Sequence, residues 1–388
     1  MPYFSFCLKK KLFTKNNDRL NYLSKIDIKI KYFSKDIHLW NFLRKIDNSD
    51  HLDYVEFEKR QKLNDIGNQI LFCLPPNIGF GDAIEYALSI KAIINSKKYK
   101  SVGVAFVDKY DFVFFKFFNI YNIYKKIISH KEMNKYDTIF HPTLEIKELK
   151  FQKYIRNDIE TLITKKFNLP QYRTKKIPNI NKKNTIKSIT IFPISQSPIR
   201  SMSSILLNSL IDHYSKDFKI NIIFDDNSKI SQYLEKNISQ KNFHKIMPVS
   251  LVNLCNEIEK IEFGIFIDSG PLHLAKILNK KGVLIATTVN HRILLNKFDS
   301  INTYSSVYAS KYCKAPCGLT NIFNYNNNVG CYDSLKILNK KIYSSNLNTL
   351  QRGSLKEEYL NFMLDPVGCI KNIDISKLIV TINNTLKN

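Results

Sequence analysis

Long apolar stretches and a leader-like beginning are both absent from this sequence. No run of about 18 or more uninterrupted apolar residues occurs, so the sequence does not predict a membrane-spanning helix. Residues 1–15 place their lysines after a short mixed run rather than before an apolar one, which is not the pattern of a secretory signal. The 388 residues, 44% of them hydrophobic, are enough for two domains and an appendage. We expect a cytoplasmic protein.

Cysteine and arginine are also scarce. Seven cysteines in a chain of this size predict reduced thiols or a metal site rather than a disulfide framework. The net charge of +25 comes mainly from lysines scattered among Asn and Ile, and no aromatic-rich RNA-binding strand or basic recognition helix is present. We therefore expect no nucleic-acid partner. A basic surface is compatible with polyanionic sugar nucleotides and with peripheral contact with the anionic inner membrane.

The residue pattern changes at about residue 66. The sequence before it is charged and irregular, and the sequence after it predicts alternating strands and helices. Residues 1–65 predict a small appended N-terminal module with a strand over Lys25–Phe33. Residues 66–170 and 185–345 each predict a doubly wound α/β domain, joined by a linker over Leu169–Asn184. Residues 346–388 predict a C-terminal helical segment that can pack back on the N-terminal domain. The predicted elements cover Ile70–Leu74, Asp82–Asn95, Val102–Val107, Phe112–Tyr124, Thr138–Phe140, Ser188–Pro193, Ser204–Tyr214, Lys219–Phe224, Lys229–Asn237, Leu251–Lys260, Gly264–Ile267 and Val283–Ala286.

The segment Ile261–Ala286 combines two strands, a tight loop and a helix. Its first strand ends at Asp268-Ser269-Gly270-Pro271, and apolar residues then recur at helical spacing. Ser269 suits an N-cap and Pro271 the first helical position. The N–H groups of such a loop, together with the positive end of the helix, bind phosphate well. An ordinary crossover between parallel strands has the same pattern, but the D-S-G-P-x-H string favours a ligand site.

The string at residues 267–275, Ile-Asp-Ser-Gly-Pro-Leu-His-Leu-Ala, resembles the donor-site motif of the heptosyltransferase-like glycosyltransferases, glycosyltransferase family 9. The resemblance covers about residue 70 to the end of the chain, and modules such as residues 1–65 occur among the protein-modifying, autotransporter-type members. It implies the GT-B fold, in which two Rossmann-like domains face a cleft, and a nucleotide-diphospho-sugar donor, with ADP-heptose as the first candidate. The donor-binding residues that it implies are Asp268, Ser269, Gly270, Pro271 and His273. A lone helical histidine such as His273 is equally compatible with a packing role.

The loop that follows the first strand of residues 66–170 ends at Asp82, where a helix begins. An aspartate at this position stabilises the helix dipole by roughly 0.3–1 kcal/mol, so capping alone can explain it. The family signature, however, is a strand followed by a loop that ends in Gly-Asp before a helix, and Gly81-Asp82 matches that pair. The resemblance therefore implies that Asp82 is the general base, with Asn77, Gly79 and Gly81 in the loop near it.

The loop after Ser188–Pro193 is the second candidate for contact with the diphosphate. The family carries Pro-Gly-Ala, several residues and then a lysine and an aromatic ahead of a helix. Here Arg200 falls at the lysine position, whereas the glycine, the alanine and the aromatic are missing. An arginine can contact two phosphate oxygens at once. The resemblance thus implies that Arg200, with the hydroxyl of Ser195, binds the donor diphosphate.

The reaction implied by the resemblance is a direct, inverting displacement at the anomeric carbon. Asp82 takes the proton of the acceptor hydroxyl, while the N–H groups of Ser269 and Gly270 stabilise the departing diphosphate. The appropriate loop has no Asp-x-Asp pair, so no cofactor is expected for catalysis. The acceptor is a carbohydrate, such as a lipopolysaccharide core sugar, or a protein hydroxyl. An oligomer is compatible with the sequence.

Four of the seven cysteines stand late in the chain, at Cys313, Cys317, Cys331 and Cys369. Four thiolates can hold iron or zinc in a tetrahedral structural site, and a C-x3-C pair can begin one. Some protein-modifying relatives bind iron through such a set. Because the other spacings are loose, four independent reduced thiols remain the alternative.

Two functions of different classes fit these observations. The first is a metal-independent sugar transferase that uses a nucleotide-diphospho-sugar, with Asp82 as its base. The alternative is a non-catalytic, basic protein of the same fold that binds nucleotides or polyanions. Turnover with an acceptor distinguishes the two.

Overall fold

The computed structural model describes residues 3–12, 20–46, 50–57, 65–76, 78–142, 158–169, 185–309, 314–318, 363–364, 366 and 368–387. The described residues form two compact units. Unit 1 contains those up to residue 142 and those from 159 to 169, and unit 2 contains Asp158 and those from 185 onward. None of the described helices is both long enough and apolar enough to cross a membrane.

Unit 1 contains eight strands and five helices among its described residues. The strands are β1 (Phe4–Leu8), β2 (Lys31–Ser34), β3 (Leu52–Phe57), β4 (Gln69–Cys73), β5 (Ser101–Ala105), β6 (Ile123–Tyr124), β7 (Ile127–Ser129) and β8 (Thr138–Phe140). The helices are α1 (Ile37–Ile46), α2 (Phe80–Asn95), α3 (Asp111–Phe118), α4 (His130–Met133) and α5 (Ile159–Lys166).

The first sheet of unit 1 is antiparallel and has the order β3-β1-β2-β7. The sequence prediction of a strand over Lys25–Phe33 is wrong for its first half, where a 3-10 turn ends at Lys25 and a strand begins only at Lys31. Between them Lys29 adopts φ 62°, and its N–H donates to Leu8 O at 2.7 Å. This left-handed residue turns the chain, so the alternation of apolar residues ahead of it does not lie on a strand.

The second sheet of unit 1 is parallel, with the order β6-β5-β4-β8. Residues 70–74 are fully buried, as expected for a central parallel strand that is covered on both faces. The strands and the helix predicted around Ile70, Asp82 and Val102 are confirmed. The helix predicted over Phe112–Tyr124 ends at Phe118, because Asn119 caps it in the left-handed conformation (φ 52°).

Unit 2 is built on a six-stranded parallel sheet with the order β11-β10-β9-β12-β13-β14. These strands are β9 (Ser188–Phe192), β10 (Lys219–Ile223), β11 (His244–Ile246), β12 (Phe263–Phe266), β13 (Gly282–Ala286) and β14 (Ile301–Ser305), and a small hairpin follows as β15 (Tyr308–Ala309) and β16 (Lys314–Ala315). The helices are α6 (Ser204–Tyr214), α7 (Lys229–Lys236), α8 (Leu251–Lys260), α9 (Gly270–Ile277), α10 (His291–Leu295), α11 (Gly368–Lys371) and α12 (Ile375–Lys387).

The C-terminal helix α12 completes the core of unit 2. Its Leu378 and Ile382 are fully buried in the cluster that also contains the apolar residues of α6 and β13. The Tyr214 hydroxyl donates to Asn383 Oδ1 at 3.0 Å and so fixes the helix to α6. The sequence prediction was a C-terminal helical segment that can pack back on the N-terminal domain. The helix instead packs within unit 2.

The predicted α/β fold class is confirmed, because each unit contains a parallel sheet with helices and the two sheets are separate. In parallel sheets, ligands bind beyond the carboxyl ends of the strands. The loops at those ends are therefore the places to look for a site.

Candidate functional site

Two loops meet at the carboxyl edge of the sheet in unit 2. Strands β9 and β12 are hydrogen-bonded neighbours in parallel register, with Phe192 opposite Phe266. The rings of these two residues stack with their centroids 5.2 Å apart. The chain leaves both strands at the same edge, so the segments 193–201 and 267–269 are brought together.

A charged pair joins the two loops. Arg200 Nη1 lies 3.2 Å from Asp268 Oδ2, and the side chains are only 16% and 9% exposed. The Ser195 hydroxyl donates to the backbone oxygen of Asp268 at 3.0 Å. The structure therefore brings together three residues that the sequence assigned to the donor. Because the pair is largely removed from water, losing either partner would leave the other charge poorly compensated.

The loop that carries Arg200 is held by hydrogen bonds that the sequence analysis did not find. The Ser201 hydroxyl accepts from the N–H of Ser195 at 3.0 Å and donates to Ser197 O at 2.9 Å. The Thr287 hydroxyl, just beyond β13, donates to Ile199 O at 3.3 Å. The position of Thr287 directly after a predicted strand was the one feature of the sequence that pointed to a role in holding this loop. These bonds fix the 3-10 turn Pro198–Arg200 and so orient the guanidinium.

The helix α9 begins directly beyond Asp268. Its N-cap is Ser269, as predicted, with extended backbone (φ −154°, ψ 166°). The helix begins at Gly270, so Pro271 is its second residue rather than the predicted first. The Ser269 hydroxyl makes no capping bond and instead lies 3.5 Å from Ile267 O. The first N–H groups of a helix have no acceptor within the helix, and they carry its positive end. His273 is half-buried on the same first turns.

Asp82 lies in the first turn of α2 in unit 1. The N-cap is Gly79, whose N–H donates to Asp82 Oδ2 at 3.3 Å, so the carboxylate does cap the helix. The Asp82 side chain is nevertheless exposed, and Gly81 beside it is half-exposed. Asn77 lies outside the described residues. The carboxylate is thus accessible for a second role in addition to capping.

Aromatic contacts hold the Asp82 loop from the side. The Tyr110 hydroxyl donates to Ile78 O at 3.1 Å, and the ring of Phe80 stacks on Tyr110 with centroids 6.1 Å apart. Tyr110 follows β5, the neighbour of β4 in the sheet. The position of the Asp82 loop is therefore fixed by a residue that follows β5 as well as by β4, the strand that leads into the loop.

Two of the four late cysteines lie within the described residues, and Cys313 and Cys331 lie outside them. Burial, together with a smaller electrostatic effect of Cys317, raises the pKa of the Cys369 thiol to about 12. The Gly318 N–H donates to Thr288 O at 2.7 Å, which anchors the segment of Cys317 beside the end of β13. Within the described part of the chain, no group of three or more metal-ligating side chains occurs.

Comparison with known proteins finds no matching family model and no matching curated protein. Among solved structures, the chain is similar to a family 9 glycosyltransferase from Veillonella parvula, with a TM-score of 0.51 and 11% identity over 83% of this chain and 98% of that one. It is also similar to TibC, an iron-containing dodecameric glycosyltransferase from enterotoxigenic E. coli, with a TM-score of 0.50 and 10% identity over 99% of this chain and 93% of that one. At these identities the likeness concerns the fold. The predicted resemblance to glycosyltransferase family 9 is confirmed at that level.

Proposed function

We propose that this chain is an inverting glycosyltransferase that moves a sugar from a nucleotide-diphospho-sugar to a hydroxyl acceptor. The observation that carries the proposal is the group formed by Ser195, Arg200 and Asp268 beside the amino end of α9. It lies at the carboxyl edge of a parallel sheet, in a fold shared with family 9 glycosyltransferases. Each of its members comes from a loop that the sequence had assigned to the donor.

The donor diphosphate binds where positive charge and backbone N–H groups coincide. Arg200 provides a permanent positive charge, and its pairing with Asp268 fixes the direction of the planar guanidinium. The N–H groups of Ser269 and Gly270 lie at the positive end of the dipole of α9 and donate to the phosphate oxygens. As the glycosidic bond breaks, negative charge grows on the leaving diphosphate. These groups therefore stabilise the transition state more than the bound donor.

The acceptor is activated by Asp82. Its exposed carboxylate takes the proton of the acceptor hydroxyl while the oxygen attacks the anomeric carbon from the face opposite the diphosphate. The step as proposed needs no metal, because the fixed charges of Arg200 and the helix offset the charge that a divalent cation would neutralise.

The proposed donor is ADP-heptose, by analogy with the family. The proposed acceptor is a carbohydrate, such as a lipopolysaccharide core sugar, or a protein hydroxyl. The net charge of +25 is favourable for binding such anionic donors, and for cytoplasmic work near an anionic inner membrane.

The late cysteines form a structural iron or zinc site in this proposal. The Gly318 N–H donates to Thr288 O and the Ser306 hydroxyl donates to Cys369 O, so Cys317 and Cys369 are both anchored where the paired strands β13 and β14 end. A bound metal would hold both thiols as thiolates and would stabilise this part of unit 2. TibC, to which the fold is similar, contains iron.

Profiling of thermal unfolding against a panel of nucleotide sugars, followed by transfer assays with the best ligand, tests the proposed function. A donor present at a hundred times its Kd stabilises the protein by about 2.7 kcal/mol, which shifts the melting temperature by several degrees. Selective stabilisation by one nucleotide sugar, together with its turnover, is the expected result. If one nucleotide sugar binds but no acceptor of either class supports turnover, the chain is a binding protein and the transferase proposal fails.

A further inference from the structure

A segment of the N-terminal sheet reaches the carboxyl edge of the parallel sheet in unit 1. The segment is Ser34-Lys35-Asp36, at the junction of β2 and α1. The side chain of Lys35 is buried, with 7% exposure for the residue. A buried lysine is rare unless its charge is compensated, so its surroundings call for an explanation.

Lys35 contacts the ends of three neighbouring strands. Its Nζ lies 3.1 Å from Cys73 O and 3.0 Å from Leu74 O, at the end of β4. It also lies 2.9 Å from Nδ1 of the buried His141, just beyond β8. The ring of Phe106, just beyond β5, faces the ammonium with its centroid 5.5 Å away.

These contacts tie the ends of two neighbouring strands to one side chain. The Lys35 amine donates to the carbonyls of Cys73 and Leu74 at the end of β4, and it makes a hydrogen bond with His141 Nδ1 just beyond β8. A lysine amine can donate more than one hydrogen bond at once. Lys35 therefore holds β4 and β8 together at their ends.

A second set of contacts anchors the same segment. Asp36 Oδ2 lies 3.0 Å from Lys126 Nζ, and Lys126 in turn lies 3.3 Å from Asp108 Oδ1. The Ser34 hydroxyl donates to Lys126 O at 2.7 Å. The segment is therefore bound on both sides of Lys35 to the loops that follow β5 and precede β7, and Lys35 has little freedom to move.

We propose that Lys35 is a positioning residue for the Asp82 loop. The strand β4 leads directly into that loop, and Leu74 O is the last of its strand-end carbonyls that Lys35 binds. By fixing the direction in which the chain leaves β4, Lys35 fixes where residues 75–82 begin, and the bond from Tyr110 to Ile78 fixes them further along. Through Lys35, the N-terminal module of residues 1–65 then helps to position the base that activates the acceptor. This inference rests on the proposed function, in which Asp82 is the base.

The experiment compares Lys35→Met with Lys280→Met in the full-length chain. Lys280 is a similarly buried lysine that donates to Glu259 O in unit 2, whereas Asp82 and its loop belong to unit 1. Its replacement removes a buried lysine amine together with a hydrogen bond to a backbone carbonyl, as Lys35→Met does. Donor Kd, donor KM, kcat and thermal stability are measured for both variants, and amide hydrogen exchange is followed in peptides that cover 73–82.

Lys35→Met is expected to lower kcat by about tenfold to a hundredfold, the range for a catalytic group displaced by about 1 Å. Its donor Kd and KM should stay within about twofold of wild type, because Arg200 and α9 belong to the other unit. Exchange in residues 73–82 should be at least about tenfold faster than in wild type. Lys280→Met should keep its kcat and its exchange in 73–82, even if it melts earlier.

Two results would overturn the inference. One is normal kcat and normal exchange in Lys35→Met, and the other is an equal loss of kcat in both lysine variants, which would indicate a purely structural role. The exchange measurement needs no turnover and so separates the two proposals. If wild type proves inactive but Lys35→Met still loosens residues 73–82, the positioning holds and the transferase proposal alone fails.

Discussion

In the proposed mechanism, the carboxylate of Asp82 has two roles. It accepts a hydrogen bond from Gly79 N–H and so stabilises the start of α2, and it stays exposed to an acceptor. The helix-end role contributes only about 0.3–1 kcal/mol, whereas general base catalysis typically contributes about 10²–10⁴ in rate. The two roles therefore differ enough in magnitude to be separated by one substitution.

Asp82→Asn is expected to lower turnover by about 10²–10⁴-fold, because the amide cannot accept the acceptor proton. The free energy of unfolding should fall by less than about 1 kcal/mol, and donor affinity should not change. Asp111→Asn, which removes a first-turn carboxylate from α3 in the same unit, is the matched control and should keep full turnover. Steady-state kinetics and urea unfolding measure these effects, and an active Asp82→Asn would exclude Asp82 as the base.

Arg200 and Asp268 are expected to be coupled in stability but not in function. Arg200→Met leaves a buried carboxylate without its partner, which typically costs about 3–5 kcal/mol for a fully buried pair, and less here because Arg200 retains 16% exposure. The second substitution Asp268→Asn should restore much of that stability.

Binding of the nucleotide diphosphate should not recover in the double variant, because the cation is still missing. Calorimetric titration with ADP and urea unfolding of the two single variants and the double variant complete the cycle. Full recovery of ADP affinity in the double variant would show that Arg200 acts only on the fold.

At the residue scale, the sequence singled out the residues of the candidate site but not the contacts between them. The strings around Asp82 and Asp268 were readable because each follows a buried strand and begins a helix. The ion pair of Arg200 with Asp268 was not, because it joins residues from two separate loops. Lys35 was also missed, since a lysine in a lysine-rich module gives no sign of being buried.

At the scale of elements, the junction of β2 and α1 depends on the charge of Asp36. Burial alone would raise the pKa of this carboxyl, but the hydrogen bond and charge of Lys126 and the N–H groups of His38 and Leu39 outweigh it and lower the pKa below its ordinary value of 3.8. A carboxyl whose pKa is lower in the folded state stabilises the fold above its unfolded-state pKa. That contribution is lost as the pH falls through the folded-state value.

Asp36→Asn is therefore expected to cost stability at pH 7 and to make unfolding less dependent on pH in the acid range below about 4. Urea unfolding between pH 7 and pH 3, followed by the fluorescence of Trp40 in α1, the single tryptophan of the sequence, compares the variant with wild type. Asp53→Asn removes a more exposed partner of Lys9 in the same sheet and should keep the wild-type dependence. Parallel acid profiles for wild type and Asp36→Asn would contradict the assignment.

The parallel strands and their helices were predictable because burial on both faces gives short apolar runs such as residues 70–74 and 263–266. The antiparallel sheet was not, because its order brings together strands that are distant in the sequence. Ile28 illustrates the difficulty, since it belongs to an alternating run and yet is exposed. Lys29 turns the chain in the middle of that run, and no periodicity argument detects such a turn.

At the scale of the whole molecule, the alternation of strands and helices was enough to predict two α/β units. The placement of the C-terminal helix on unit 2 depended on which apolar surface was left uncovered, namely that beside β13 and α6. Such a surface is created only when the sheet forms, so the helical pattern of Leu378 and Ile382 could not identify its partner.

The cysteine set predicts about one equivalent of iron or zinc per chain in protein purified without chelator. Cys317→Ser and Cys369→Ser should each lose most of the metal and lower the melting temperature. Cys255→Ser, a buried cysteine of α8 in the same unit, should retain both. Elemental analysis of the four proteins decides the matter, and metal at trace level in wild type would leave the cysteines as independent thiols.

The antiparallel sheet of unit 1 takes its fourth strand from residues 127–129, whereas its first strand is residues 4–8. When synthesis has reached only residue 65, the strand that covers the free edge of β2 has therefore not yet been made. The antiparallel sheet can be completed only after β4, β5 and β6 of the parallel sheet have been synthesised. For the same reason, removal of residues 1–65 would leave the backbone groups of Ile127 to Ser129 without their strand partner, and such an unpaired strand edge promotes aggregation.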